Sequence, residues 1–352
     1  MVATSLAPGI SAAPAPYPPG ALSRFLAWTD RLPWHGWWFY PALAGALLAW
    51  SQGLLWATGQ LPFGTFDKFL TAGVVYGPYV LAALALINRA AERALLSFWP
   101  ATGWPIEDRE AWRYAFVTSP RGLTGIAIVV GVVGALATFY SATDLFADGT
   151  GRGLTLAAYL PSAVLGYSLV VLAIAHTTRQ LRLVARIHRE AAAIDPFDRV
   201  PLYAFSSLTA RTGLAYVVTA YYAITVNGAI QASVIVVLVP AVVFAFGMLC
   251  FVLPLWGIHG RLGHEKELLL RDLDGRVSRL GLEMYRRVDA GEFDTTKVIT
   301  DGLAGLQTLR DRIVRLPTWP WPPQLFRGFI SALLVPVVVY LASRIIGGQL
   351  GA

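Results

Sequence analysis

From Thr212 to Trp256 the chain is apolar almost without interruption. A bilayer core takes about 20 helical residues, so this stretch is more than twice what one crossing needs. The segment VNGAIQ, residues 226–231, is its natural break, and it divides the stretch into two spans joined by a tight turn. Further apolar runs lie at 37–57, 69–88, 122–140, 155–175 and 324–346. Seven transmembrane helices are predicted. Composition suits a membrane solvent, with 56% of the 352 residues hydrophobic and 14% charged, against about 25% charged in soluble domains.

The basic residues orient the bundle. All but Lys68, Arg152 and Arg344 of the 28 Lys and Arg fall before span 1, in the even-numbered loops or at Arg327. The positive-inside rule then predicts a cytoplasmic N-terminus and an extracellular C-terminus, in a multi-pass protein of the plasma membrane. The net charge of +7 is spread along loops rather than gathered into a nucleic-acid site. The single Cys250 excludes a disulfide framework. The Ala/Pro-rich residues 1–21 lack a basic signal-peptide start and are expected to be a disordered tail.

The long inner segments continue the spans as amphipathic helices. Leu181, Val184, Ile187, Ala191 and Ile194 recur at helical spacing after span 4, until IDPFDRVPLYAF breaks the run. Asp198 or Pro201 is expected to start the next helix, leading into span 5. Residues 257–323 carry two stripes, Leu262, Leu269, Leu273, Val277, Leu280, Met284 and Val288, then Ile299, Leu303, Leu306, Leu309, Ile313 and Leu316. DAGEFDT lies between them as a turn, with Asp294 as the expected N-cap. This reads as an antiparallel helical hairpin, within a cytoplasmic bundle formed with the extensions of helices 4–6. Its stripe suits packing inside the chain, alone or together with pairing to further copies, through Leu303, Leu306, Leu309 and Ile313.

No Asp or Glu interrupts any of the seven runs, which argues against proton-coupled transport. The five His are scattered, as surface or interfacial residues are, and no metal-ligand spacing, P-loop, dinucleotide glycine motif or GxSxG occurs. An enzyme, a cofactor and a metal site are not expected. The polar residues within spans are mostly hydroxyls and amides, such as Ser51 and Gln52, suited to interhelical hydrogen bonds. Tyr167, Thr219, Tyr221 and Tyr222 are candidates for a small-molecule pocket. In span 7, Leu333, Val337, Tyr340, Ser343 and Arg344 share a face that becomes polar outward, as a pore lining does, or as a core-facing helix does when Arg344 reaches the outer headgroups.

These features resemble the seven-transmembrane ion channel superfamily of the insect odorant and gustatory receptors, which has distant relatives outside animals. The matching pieces are 176–194, 201–211, 257–290 and 295–316 as a cytoplasmic anchor, with 324–346 as the pore half of a divided helix 7. The resemblance implies a homotetramer joined through the anchor. It is architectural, since VVVYLASRII has Tyr340 without the Gln-Phe of the insect motif. IHREAAAIDPFDRVPLYAFSSLTARTG also looks like a family of uncharacterised prokaryotic membrane proteins. The expected organisation is a tail (1–21), transmembrane helices 1–6 with extensions (22–256), a cytoplasmic hairpin (257–323) and helix 7 with the C-terminus (324–352). The expected function is an oligomeric ion channel or channel-like receptor. The alternative is a non-conducting scaffold or sensor whose hairpin binds a partner. Pro317, Trp319, Pro320, Trp321, Pro322 and Pro323 form the joint between hairpin and last helix. Its prolines are expected to hold an extended connector and its Trp rings to sit at the headgroups.

Overall fold

A computed structural model describes residues 17–141, 152–191, 197–226 and 234–334. The described residues are helical, with no strand among them and one isolated bridge between Pro19 and Pro120. In chain order the helices are α1 (Ala21–Asp30), α2 (Phe39–Ala57), α3 (Lys68–Phe98), α4 (Asp108–Val117) and α5 (Gly122–Ser141). There follow α6 (Arg152–Glu190), α7 (Arg199–Tyr203), α8 (Ser206–Val226), α9 (Val234–Asp289) and α10 (Phe293–Val314). Residues 323–334 begin a last helix. Four helical segments among the described residues are long and apolar enough to cross a membrane: Lys68–Thr102, Gly122–Tyr140, Gly153–Glu190 and Ala241–Asp289. They fall on expected spans 2, 3, 4 and 6; α2 and α8 are helical where spans 1 and 5 are expected.

The chain divides into two compact units. The first takes in Met1–Glu92 and Trp104–Gln180. One of its cores gathers Leu22, Leu26, Tyr40, Leu84, Ala127 and Leu172, and another gathers Leu55, Leu70, Ala135, Phe139 and Tyr159. Gln52 crosslinks α2 to the start of α3, donating to the Thr71 hydroxyl (3.3 Å) and accepting from the Asp67 N–H (3.2 Å). Ser51 instead donates to Leu48 O of its own helix. Helices α5 and α6 approach at Gly131, where an added Cβ would stand 2.0 Å from Ser168 Oγ and 2.9 Å from Val164 O. Only glycine allows that approach.

Residues 17–20, expected to belong to the disordered tail, are a docked strap. The Gly20 N–H donates to Ser119 O (2.7 Å), the Tyr114 hydroxyl to Tyr17 O (2.7 Å), and the Tyr17 hydroxyl to Thr118 O (2.9 Å). The strap satisfies backbone groups of the α4–α5 turn that helices leave open at their ends. The preceding residues of the tail lie outside the described residues.

The second unit takes in Arg93–Gly103, Leu181–Ile224 and Ala232–Ala352. Asp198 caps α7 by accepting from the Val200 N–H at 3.0 Å, as expected. The helix expected to run on into span 5 is broken at Ala204–Phe205, and α8 starts afresh at Ser206. Backbones of α8 and α9 meet at paired glycines: a Cβ on Gly213 would lie 2.8 Å from Gly247 O, and one on Gly247 2.9 Å from Gly213 O. Helix α9 runs unbroken for 56 residues from its apolar to its charged half.

The hairpin forms as its stripes require. Gly291 adopts φ +77° after α9, a conformation that ends helices and favours glycine. The N-cap of α10 is Glu292; Asp294, expected in that role, lies inside the helix. Leu273 and Ile299 are buried, and Gly302 admits Leu280 Cδ1 at 3.9 Å from its Cβ position. Arg310 bridges the arms to Asp274 (3.3 Å), while exposed pairs such as Arg276–Asp272 (2.9 Å) lie along α9, worth about 0.3–0.5 kcal/mol each.

Two substitutions at the α5–α6 approach should part company. Gly131→Ala is expected to lower the thermal midpoint in detergent, at a cost of about 1–3 kcal/mol. Ser168→Ala removes a buried hydroxyl that has no hydrogen-bond partner, so its midpoint should hold or rise.

Candidate functional site

The C-terminal end of the hairpin is closed by α9. Lys266 Nζ donates to Val314 O (2.6 Å) and Leu316 O (3.1 Å), the carbonyls left open where α10 stops. Pro317 follows, and the chain bends through residues 318–321. The connector is therefore bent, not extended as its prolines suggested. Pro322 and Pro323 open the last helix instead: Pro322 O accepts from the N–H groups of Leu325 (3.0 Å) and Phe326 (3.1 Å). Pro323 takes the first helical position, where a missing N–H costs nothing.

The bend turns both connector Trp rings against α9. Phe251 and His259 are eight residues apart on that helix, a rise of about 12 Å. Trp319 and Trp321 fill the interval. His259 stacks on Trp319 (3.9 Å between centroids, 12° between planes), and Trp319 on Trp321 (5.0 Å, 20°). Trp321 stacks on Phe251 (4.8 Å, 21°), and Phe251 on Phe329 of the last helix (3.9 Å, 12°). The His259 Nδ1–H donates to Thr318 O (3.0 Å), which orients its ring. Phe329 Cε2 lies 3.0 Å from the Cβ position of Gly213, so the column ends at the α8–α9 glycine crossing. Trp321 is buried and Trp319 is 40% exposed. Each aromatic pair contributes about 0.5–1.5 kcal/mol beyond its burial.

One turn beyond Phe329, the Tyr221 hydroxyl of α8 donates to Leu333 O at 2.8 Å. Of the candidate pocket residues, Tyr221 thus holds the last helix, and Thr219 donates to Ala215 O within α8 (2.8 Å). Tyr222 is half-buried. Tyr167 belongs to the first unit, where its hydroxyl meets Thr138 Oγ1 at 2.6 Å. Of the candidate pore residues, Leu333 is buried, and Val337, Tyr340, Ser343 and Arg344 lie outside the described residues. Of the candidate assembly residues, Ile313 is buried, Leu303 and Leu306 half-buried, and Leu309 exposed.

The histidines depart from expectation. His176 and His188 are buried, not on the surface. In the first unit, His176 Nδ1 meets Ser119 Oγ (2.6 Å) and its Nε2 meets Asn88 Oδ1 (2.7 Å). The neutral Nε2–H tautomer satisfies both, accepting from Ser119 and donating to Asn88. Gln180 donates to Phe116 O (2.9 Å), and Arg179 donates to Thr118 O (2.5 Å) and to the Tyr17 hydroxyl. Burial raises the Tyr17 phenol above its ordinary pKa, which keeps it neutral beside that guanidinium. Ser119 is 5% exposed, so the Ser–His–Asn chain is a bridge between α3, α6 and the α4–α5 turn. In the second unit, His188 sits against the edges of Phe98 (4.9 Å) and Phe205 (5.1 Å). Among the described residues no three His, Cys, Asp or Glu side chains gather as a metal site.

The joint is legible in the sequence, whereas the stacking of Phe251, His259 and Phe329 upon it is not. The spacing of Phe251 and His259 on α9 and the place of Phe329 in the last apolar run are visible, but nothing local says which rings they meet. Comparison with family models, curated proteins and solved structures finds no match for this chain.

The ring column yields an unequal pair of outcomes. Phe251→Ala, with a ring on either side, should cost about 3–5 kcal/mol. Trp319→Ala also removes a ring held between two others, but one that is 40% exposed where Phe251 is fully buried, and should cost less than half of that. Thermal unfolding in detergent measures both, and equal losses would show that burial of Phe251 does not set the difference. In the first unit, Arg179→Met should raise hydrogen exchange at the Gly20 amide while leaving the α9–α10 hairpin unchanged.

Proposed function

We propose that this chain is the subunit of an oligomeric membrane channel, in which the last helix lines a central pore and the α9–α10 hairpin serves assembly. The ring column carries the reading. It makes the hairpin root, the connector and the last helix one mechanical piece, so a displacement of α10 reaches the last helix through stacked rings with little slack. In this reading the chain crosses the plasma membrane seven times. The hairpin and N-terminus lie in the cytoplasm, on the side that the Arg and Lys residues favour, and the C-terminus lies outside. The resemblance to the insect receptor channels supplies the number four for the subunits. It also supplies the division of labour between an anchor and a pore half. The absence of carboxylates from the apolar runs supports passive conduction over proton-coupled transport. A small molecule is the natural stimulus of such a receptor.

A second reading draws on the hairpin's outer surface. Leu282, Tyr285 and Val298 are 70%, 73% and 75% exposed there. Apolar groups so open suit a non-conducting scaffold or sensor whose hairpin takes up a cytosolic partner.

Reconstitution separates the two readings. In liposomes the purified protein is expected to pass ions, and its mass in nanodiscs to be a multiple of one chain. Replacing residues 317–323 with a Gly/Ser linker should keep the oligomer and alter gating. A monomer that passes no ions under any ligand or voltage would overturn the channel reading and favour the scaffold.

A further inference from the structure

Two anchors fix how the last helix is rotated about its axis. The Phe329 ring is stacked on Phe251 against the glycine crossing, and Leu333, one turn on, offers its carbonyl to Tyr221 while its side chain is buried. Both lie on the face turned toward α8 and α9. At 100° per residue, the opposite face carries Gln324, Arg327, Ser331 and Leu334. All four are exposed.

This exposed stripe is unlike the lipid-facing kind. Helix α5 shows what an apolar solvent selects, with Ile126, Ile128, Val129 and Val133 at half to two-thirds exposure and no polar side chain among them. The last helix carries an amide, a guanidinium and a hydroxyl on its exposed stripe within its first three turns. Polar groups at such positions mark a helix face that meets water or other protein. The only charge among the four is the Arg327 guanidinium. A ring of such groups around a symmetry axis attracts anions and repels cations.

We infer that the pore face of the last helix is the Gln324–Arg327–Ser331 stripe, with Leu334 above it, and that the ion it admits is a small anion such as chloride. The inference rests on the channel reading. It replaces the Leu333 face with the opposite one, and it gives Arg327 the selecting role.

Currents in proteoliposomes under a KCl gradient give the test, with purity and oligomer size checked for each variant. The reversal potential should report chloride over potassium. Arg327→Gln should lower that permeability ratio by roughly five- to tenfold, and Arg327→Lys should keep most of it. Thiol labelling gives a readout independent of selectivity, because the sole cysteine, Cys250, is buried. A membrane-impermeant thiol reagent should modify and block the Ser331→Cys variant and leave the Leu333→Cys variant untouched. Potassium-selective current, or block at position 333 with position 331 protected, would overturn this inference and leave the channel reading standing. No current from the unsubstituted protein would overturn both.

Discussion

Helix α9 is the constraint on which the second unit depends. An α-helix satisfies its own backbone, so one continuous helix can pass from an apolar stretch into a charged one with no unpaired group at the change of solvent. Over 56 residues α9 does this without a break. It therefore offers one rigid edge to everything after it. Its apolar half holds Gly247 against Gly213, its middle carries Phe251 and His259, and its charged half carries Lys266 and the hairpin seam. The position of α10, the connector and the last helix is set by partners along that edge.

The first unit shows the same economy in polar groups. Gln52 uses both ends of its amide between two helices, and His176 uses both ring nitrogens. Burying such groups unpaired costs about 1–3 kcal/mol each, and pairing them fixes the register of the helices that carry them. Some buried side chains stand outside this rule, among them Ser168 in the first unit and His188 in the second. Ser168 Oγ has no hydrogen-bond partner beside Gly131, and His188 has none at either nitrogen between its two aromatic neighbours. For both, close packing prevails over polar satisfaction.

Much of the helical layout was legible in the sequence because helix formation here follows local rules. The apolar runs at 122–140 and 155–175, the Asp198 cap and the two arms of the hairpin all lie where periodicity and capping residues put them. The misreadings have specific causes. Residues 17–20 look like a tail because Ala and Pro dominate their neighbourhood, and their partners lie about 100 residues away at Thr118 and Ser119. The connector looks extended because proline favours that conformation, but stacking two indoles on α9 demands a bend. Asp294 is a good cap by type, yet Gly291 ends α9 early enough for α10 to start at Phe293.

What the sequence by itself determined is an all-helical chain with apolar segments long enough for a membrane, a charged hairpin and a Trp/Pro joint between that hairpin and the last helix. Those properties depend on composition and on spacings of three or four residues, which act within a single helix. Only the tertiary structure decided which rings stack, which face of the last helix is held and which is left open. Phe251 meets Trp321 and Phe329 across about 70 to 80 residues of chain. Such pairings arise because α9 returns through α10, so that rings two turns apart on one helix bracket the connector's indoles. No local pattern encodes that distance.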